Sequence, residues 1–137
     1  MANLAMPTHV ADTVALARYL EGSLPRNADR VFSDAETGNA RILLPSIVLG
    51  ELFYVSLRGR LKVREPLTMI LELLDDIESS PHLLPVDMNV DSWRRFLQLR
   101  VPELHDRMIC AVALAYSADS ILTNDPEIAG SGVKTIW

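Results

Sequence analysis

The sequence predicts an α/β fold in which a central parallel sheet of about 4–5 strands is covered by helices on both faces. Two observations carry this expectation. Short apolar runs of strand length recur at His9–Ala11, Arg41–Pro45, Leu83–Val86, Ile121–Thr123 and Val133–Trp137. Segments with apolar residues at helical spacing separate them, and strands alternating with helices imply parallel crossovers. The 137 residues, 49% apolar and 23% charged, are read as one domain over 1–137, with 1–8 as a loose leader.

The elements follow in order. Asp12 closes the first strand, and Thr13 to Glu21 is a helix that Gly22 stops. Ala28, Val31, Phe32 and Ala35 share one face of a second helix, which ends at Gly38. Ser46 is placed to cap the helix Ile47–Leu57, whose apolar surface is interrupted by Glu51. A basic run (Arg58, Arg60, Lys62, Arg64) precedes an amphipathic helix over Glu65–Glu78. Its expected buried stripe is Leu67, Ile70, Leu71, Leu74 and Ile77. A further helix spans about Asn89 to Leu99. Pro102 suits the start of the next, which is rich in small and apolar residues from Leu104 to Ala118 and is therefore expected to be buried. Asn124-Asp125-Pro126 is a turn.

Composition excludes several classes. No run approaches the roughly 18 apolar residues of a membrane span. The start of the chain lacks the basic flank and apolar core of a signal peptide. The lone Cys110 excludes an internal disulfide and suits a reducing cytoplasm; it and Met108 are expected in the core. No Cys/His spacing suggests zinc. The net charge of −5 argues mildly against a nucleic-acid partner.

Four acids stand where charge needs a reason. Asp12 and Asp125 follow strand ends, the edge of an open α/β sheet where ligands bind, while Glu51 and Asp106 lie near helix starts. Brought together, they would raise one another's pKa unless a cation compensated. Hard oxygen ligands point to Mg²⁺ or Mn²⁺, and two such ions can stabilise the attacking and leaving oxygens of a phosphodiester displacement.

The order ADT, LGEL, LHDRMICAVAL, LTND resembles the PIN domain, and the size and motifs are most similar to VapC-type toxin ribonucleases. This resemblance, which runs from His9 to Trp137, implies a three-layer α/β/α sandwich with metal-dependent endoribonuclease activity on RNA. It also implies a cognate antitoxin and a homodimer. Asp12, Glu51, Asp106 and Asp125 fall on the family's acidic metal site, with Thr13 and Thr123 where a hydroxyl often supports it. Val14 departs from the Ser or Asn of many relatives, and residues 22–40 and 58–82 carry no diagnostic match.

On this reading Asp12, Glu51 and Asp106 hold one Mg²⁺, and Asp125 serves a second or its water. His105, a step of about 100° around the helix from Asp106, is given a structural role. Two divalent ions would take the net charge from −5 to −1, leaving the arginines at 58, 60, 64, 94 and 95 as a basic rim. Two other readings stand beside it: a catalytically idle binding module of the same fold, and a receiver-like phosphoacceptor.

Overall fold

The structure is a computed structural model that describes residues 6–137. Five strands, β1 (Thr8–Ala11), β2 (Arg41–Pro45), β3 (Leu83–Val86), β4 (Ser120–Leu122) and β5 (Thr135–Ile136), form one sheet in the order β3-β2-β1-β4-β5. All four pairings are parallel, with Val10 registered between Leu43 and Ile121. Among the described residues seven helices flank the sheet: α1 (Thr13–Glu21), α2 (Arg26–Glu36), α3 (Ser46–Leu57), α4 (Pro66–Ser79), α5 (Val90–Gln98), α6 (Leu104–Ala115) and α7 (Pro126–Ala129). This is the expected α/β/α sandwich. Of the leader, residues 1–5 lie outside the described residues, whereas Thr8 already pairs with Arg41.

Burial explains the run-like strands. Val10, Ala11, Ile42, Leu44, Ile121 and Leu122 are fully buried, because helices cover both faces of the central strands and these residues need not alternate toward water. The first helix ends as Gly22 predicts: its φ of 69° lets the chain turn back, and the amides of Gly22 and Ser23 reach the carbonyls of Tyr19 and Arg18. Five successive residues of α6, Ile109 to Ala113, are buried, so the small-residue helix is enclosed on every side there. Its first residue, Leu104, remains 55% exposed.

Four local expectations are corrected. Ser46 is the first residue of α3 rather than its cap, and its hydroxyl donates to the Asp87 carboxylate. Pro102 lies outside α6, which Glu103 caps by accepting the Asp106 amide at 2.7 Å. The short α7, hidden by the turn signal at Asn124-Asp125-Pro126, begins at that proline. Finally, α4 is apolar on two sides. Ile70 and Leu73 are buried and Ile77 partly so, while Leu67, Leu71 and Leu74, at i, i+4 and i+7, are 59%, 53% and 40% exposed.

Candidate functional site

Parallel strands send all their C-terminal ends to one edge, and the helices that follow start there. Asp12 leaves β1 and caps α1, its Oδ1 accepting the Ala15 amide at 2.8 Å. Asp106 occupies the first turn of α6, and Asp125, beyond β4, caps α7 by accepting the Glu127 amide at 2.8 Å. Glu51 comes in sideways from α3. The four acids predicted from sequence meet in one cleft of ≈ 250 Å³, which Thr13, Val14, Glu103, His105, Ile109 and Asn124 also line. Asp12 is thus both a cap and a wall of the cleft; the two roles do not compete, since one carboxyl oxygen suffices for the cap.

The hydroxyls hold the acids in place. Thr13 Oγ1 donates to Glu51 Oε1 at 3.1 Å, tying α1 to α3. Thr123 is buried; its hydroxyl bonds the Asp12 carboxyl and accepts the Asp125 amide at 3.0 Å. Both threonines singled out in the sequence therefore touch the acids.

Electrostatics mark the cleft as negative. Burial pushes the Asp12 carboxyl above the usual carboxylate range, against hydrogen bonds from Thr123 and Ala15, and Asp125 and Glu51 add repulsion. Asp106 is pushed up to about 7, by burial first, then by a shared hydrogen bond with Asp125 and the charges of Asp125, Glu103 and Asp12. Among the described residues five carboxylates line the cleft and no lysine or arginine does. Carboxylate oxygens from Asp106, Asp125 and Glu127 also lie within 4.8 Å of one another. Hard oxygen donors in negative excess, five carboxylates against one imidazole, are a donor set that fits Mg²⁺ or Mn²⁺.

A PIN domain family model matches residues 10–130. The chain belongs to the PIN domain family. The match leaves the receiver-like reading without support. No curated protein sequence matches the chain. Solved structures share the fold of this PIN domain at low identity. VapBC2 from Rickettsia felis, bound to a DNA fragment from its promoter, aligns with TM-score 0.70 and 19% identity over 94% of this chain and 97% of the other. VapC20 from Mycobacterium tuberculosis, a sarcin-ricin loop cleaving toxin, aligns with TM-score 0.62 and 17% identity over 91% and 95%. FitAcB from Neisseria gonorrhoeae aligns with TM-score 0.61 and 18% identity over 94% and 96%.

The PIN domain cleft holds residues that sequence reasoning missed. His105 faces it, with Nδ1 3.2 Å from Glu51 Oε2 and 3.8 Å from Glu103 Oε1. The first turn of α6 enters the cleft end-on, so neighbouring residues reach it despite the 100° step. Glu103, the cap of α6, also lines the cleft, while Glu127 lies beside Asp125 in the first turn of α7; the three-residue spacing from Glu103 to Asp106 was the available signal. The expected basic rim is only partly at hand. The run at 58–64 meets the far end of α1, where the Lys62 amide bonds Glu21, about 13 Å along the helix from Asp12. Arg58 lies against Tyr54, and Arg95 pairs with Asp91 at 3.6 Å.

Proposed function

We infer that this PIN domain is a metal-dependent endoribonuclease, the toxin of a toxin–antitoxin pair, working in the cytoplasm. The observation that carries the reading is the meeting of Asp12, Glu51, Asp106 and Asp125 in one cleft with no lysine or arginine in its lining. Membership of the PIN family and the likeness to VapC structures support it.

Asp12, Glu51, Asp106 and Asp125 would hold Mg²⁺, or Mn²⁺ in its place. When bound, the ion supplies Lewis-acid activation of water and neutralises charge developing on the phosphodiester. The chain's own groups prepare the site. Thr123 keeps Asp12 and Asp125 in register across β1 and β4, and Thr13 and His105 each engage one oxygen of Glu51. Ile109 forms an apolar wall that limits water in the cleft. Asp106 must give up its proton before it serves as a ligand, which burial and its acidic neighbours resist and a cation favours.

A homodimer and an antitoxin belong to the same reading. Two exposed apolar stripes support two protein contacts: Leu67, Leu71 and Leu74 on α4, and Val90, Trp93 and Leu97 on α5. The decisive test replaces Asp12→Asn and Asp106→Asn, each a near-isosteric loss of charge. Mg²⁺-dependent RNA cleavage and growth arrest on expression are expected to fall at least about a hundredfold for each. Wild-type cleavage and toxicity in either variant would remove it from the proposed site.

A further inference from the structure

Among the described residues the acidic cleft is lined by no lysine or arginine that could meet the phosphates flanking a cut, and the Lys62 amide of the basic run bonds Glu21 at the far end of α1. Cations stand instead beside the cleft, on the β5 side. Val14 lines the cleft, and Arg18 follows it one turn along the same side of α1. The sheet leads to the same place: the Thr123 amide donates to the Ile136 carbonyl at 3.1 Å, which sets Trp137 beside the strand end that carries Asn124 and Asp125. The Arg18 guanidinium lies 5.6 Å from the centroid of the Trp137 ring. From α2, the Asn27 side chain donates to the Trp137 carbonyl at 3.3 Å. Asn27, Arg30, Asp34 and Trp137 line a surface cleft of ≈ 380 Å³. Ion pairs among the described residues involve only Arg95 and His105, so Arg18 and Arg30 have no carboxylate within 4.0 Å.

We propose that the surface cleft lined by Arg30 and Trp137, with Arg18 held over the Trp137 ring at its edge, binds the single-stranded RNA flank that leaves the acidic cleft, one base stacking on Trp137 and neighbouring phosphates meeting the two guanidiniums. The proposal rests on the ribonuclease reading and assigns where its substrate runs. Single-stranded nucleic acid is held by an aromatic platform combined with cations that track the backbone, and both are present. A planar guanidinium suits both tasks, since it stacks on the ring and forks onto phosphate oxygens. The Asn27 amide and the Asp34 carboxylate supply a donor and an acceptor for a base edge. An acidic peptide would also be drawn to the arginines, but it brings no row of bases to stack on Trp137, and the backbone bond from Thr123 to Ile136 places the Trp137 end of β5 next to the strand end that carries Asn124 and Asp125, which favours RNA.

The test measures binding of a fluorescein-labelled single-stranded oligoribonucleotide by anisotropy, using the full chain in EDTA so that no cutting occurs. Arg18→Ala and Arg30→Ala are each expected to weaken binding about tenfold and to reduce the slope of log K against log salt by about one. Trp137→Ala weakens it about tenfold, while Trp137→Phe, which keeps a stacking face, retains most of the affinity. In Trp93→Phe protein, where Trp137 is the remaining tryptophan, RNA quenches the emission. Arg58→Ala leaves binding unchanged. No RNA binding by wild type, or equal affinity in wild type, Arg18→Ala and Trp137→Ala, overturns the proposal. So does a loss in these variants that affects only a protein partner. Cleavage with Mg²⁺, followed in parallel, separates the two readings. Cutting with an unchanged KM in the variants sinks the flank cleft alone, whereas RNA bound here but never cut sinks the nuclease.

Discussion

Asp106 shows how a single side chain reports the chemistry around it. Its carboxyl is held at about 7 in the fold, so between roughly pH 4 and pH 7 the folded chain binds a proton that the unfolded chain has released. The folded state binds more protons in that window, so metal-free protein loses stability as pH rises from about 4 toward 7. Facing Asp106 are Asp125, Glu103 and Asp12, with His105 on the same cleft wall. Asp106→Asn removes both the titration and the repulsion. Thermal melts of metal-free wild type and variant should converge near pH 4, with the variant the more stable at pH 7.5; a gap independent of pH would refute the assignment. Of these residues, Asp106 was readable as a site candidate because a charge beside an apolar run is conspicuous. His105 was not, since sequence gives its angle around the helix but not the end-on approach of α6.

At the scale of elements, one side chain locks two helices together. Arg107 on α6 donates to the carbonyls of Phe96 and Leu99 at the end of α5, with Nε 2.9 Å from Phe96 O, and its guanidinium lies 4.9 Å from the Phe96 ring. The Phe96 carbonyl also accepts the Leu99 amide at 3.4 Å, so Arg107 adds a second, charged donor there and supplies one to Leu99 just past the helix end. These bonds also anchor the loop leading to Glu103 and thus the first turn of α6, which carries Asp106. Arg107→Ala is expected to destabilise the chain by about 2 kcal/mol in denaturant melts. Arg107→Lys restores only part of this, because an ammonium lacks the fork that reaches both carbonyls. Wild-type stability in Arg107→Ala would show that other contacts position α6. The α5 and α6 helices were each legible from their periodicity, but this lock was not, because nothing in the spacing of residues 96, 99 and 107 distinguishes an arginine turned inward from one in water.

For the molecule as a whole, the informative feature is surplus apolar surface. By spacing Leu67, Leu71 and Leu74 belong to a buried stripe, yet the sheet and its partners bury only the adjoining side of α4. An amphipathic pattern states that a face is covered but not by what. We expect a second copy to cover this one. Sedimentation velocity at micromolar concentration should give a dimer, with Leu71→Glu halving the mass while leaving the circular dichroism unchanged. A wild-type monomer across that range would leave α4 to another partner.

Sequence alone determined the layer architecture and the acids, for reasons that are local. Burial on both faces forces continuous apolar strands, helices force their own spacing, and carboxylates at strand ends and helix starts stand out against such a background. Tertiary structure alone decided which of two apolar faces α4 buries, that Lys62 of the basic run meets Glu21 at the far end of α1, and that Arg18 lies over Trp137. Those relations depend on the strand order β3-β2-β1-β4-β5, which brings residues 12, 51, 106 and 125 to one edge across more than a hundred positions of chain. Spacing along a chain fixes the direction in which a side chain points from its own element; only packing between elements fixes what it meets.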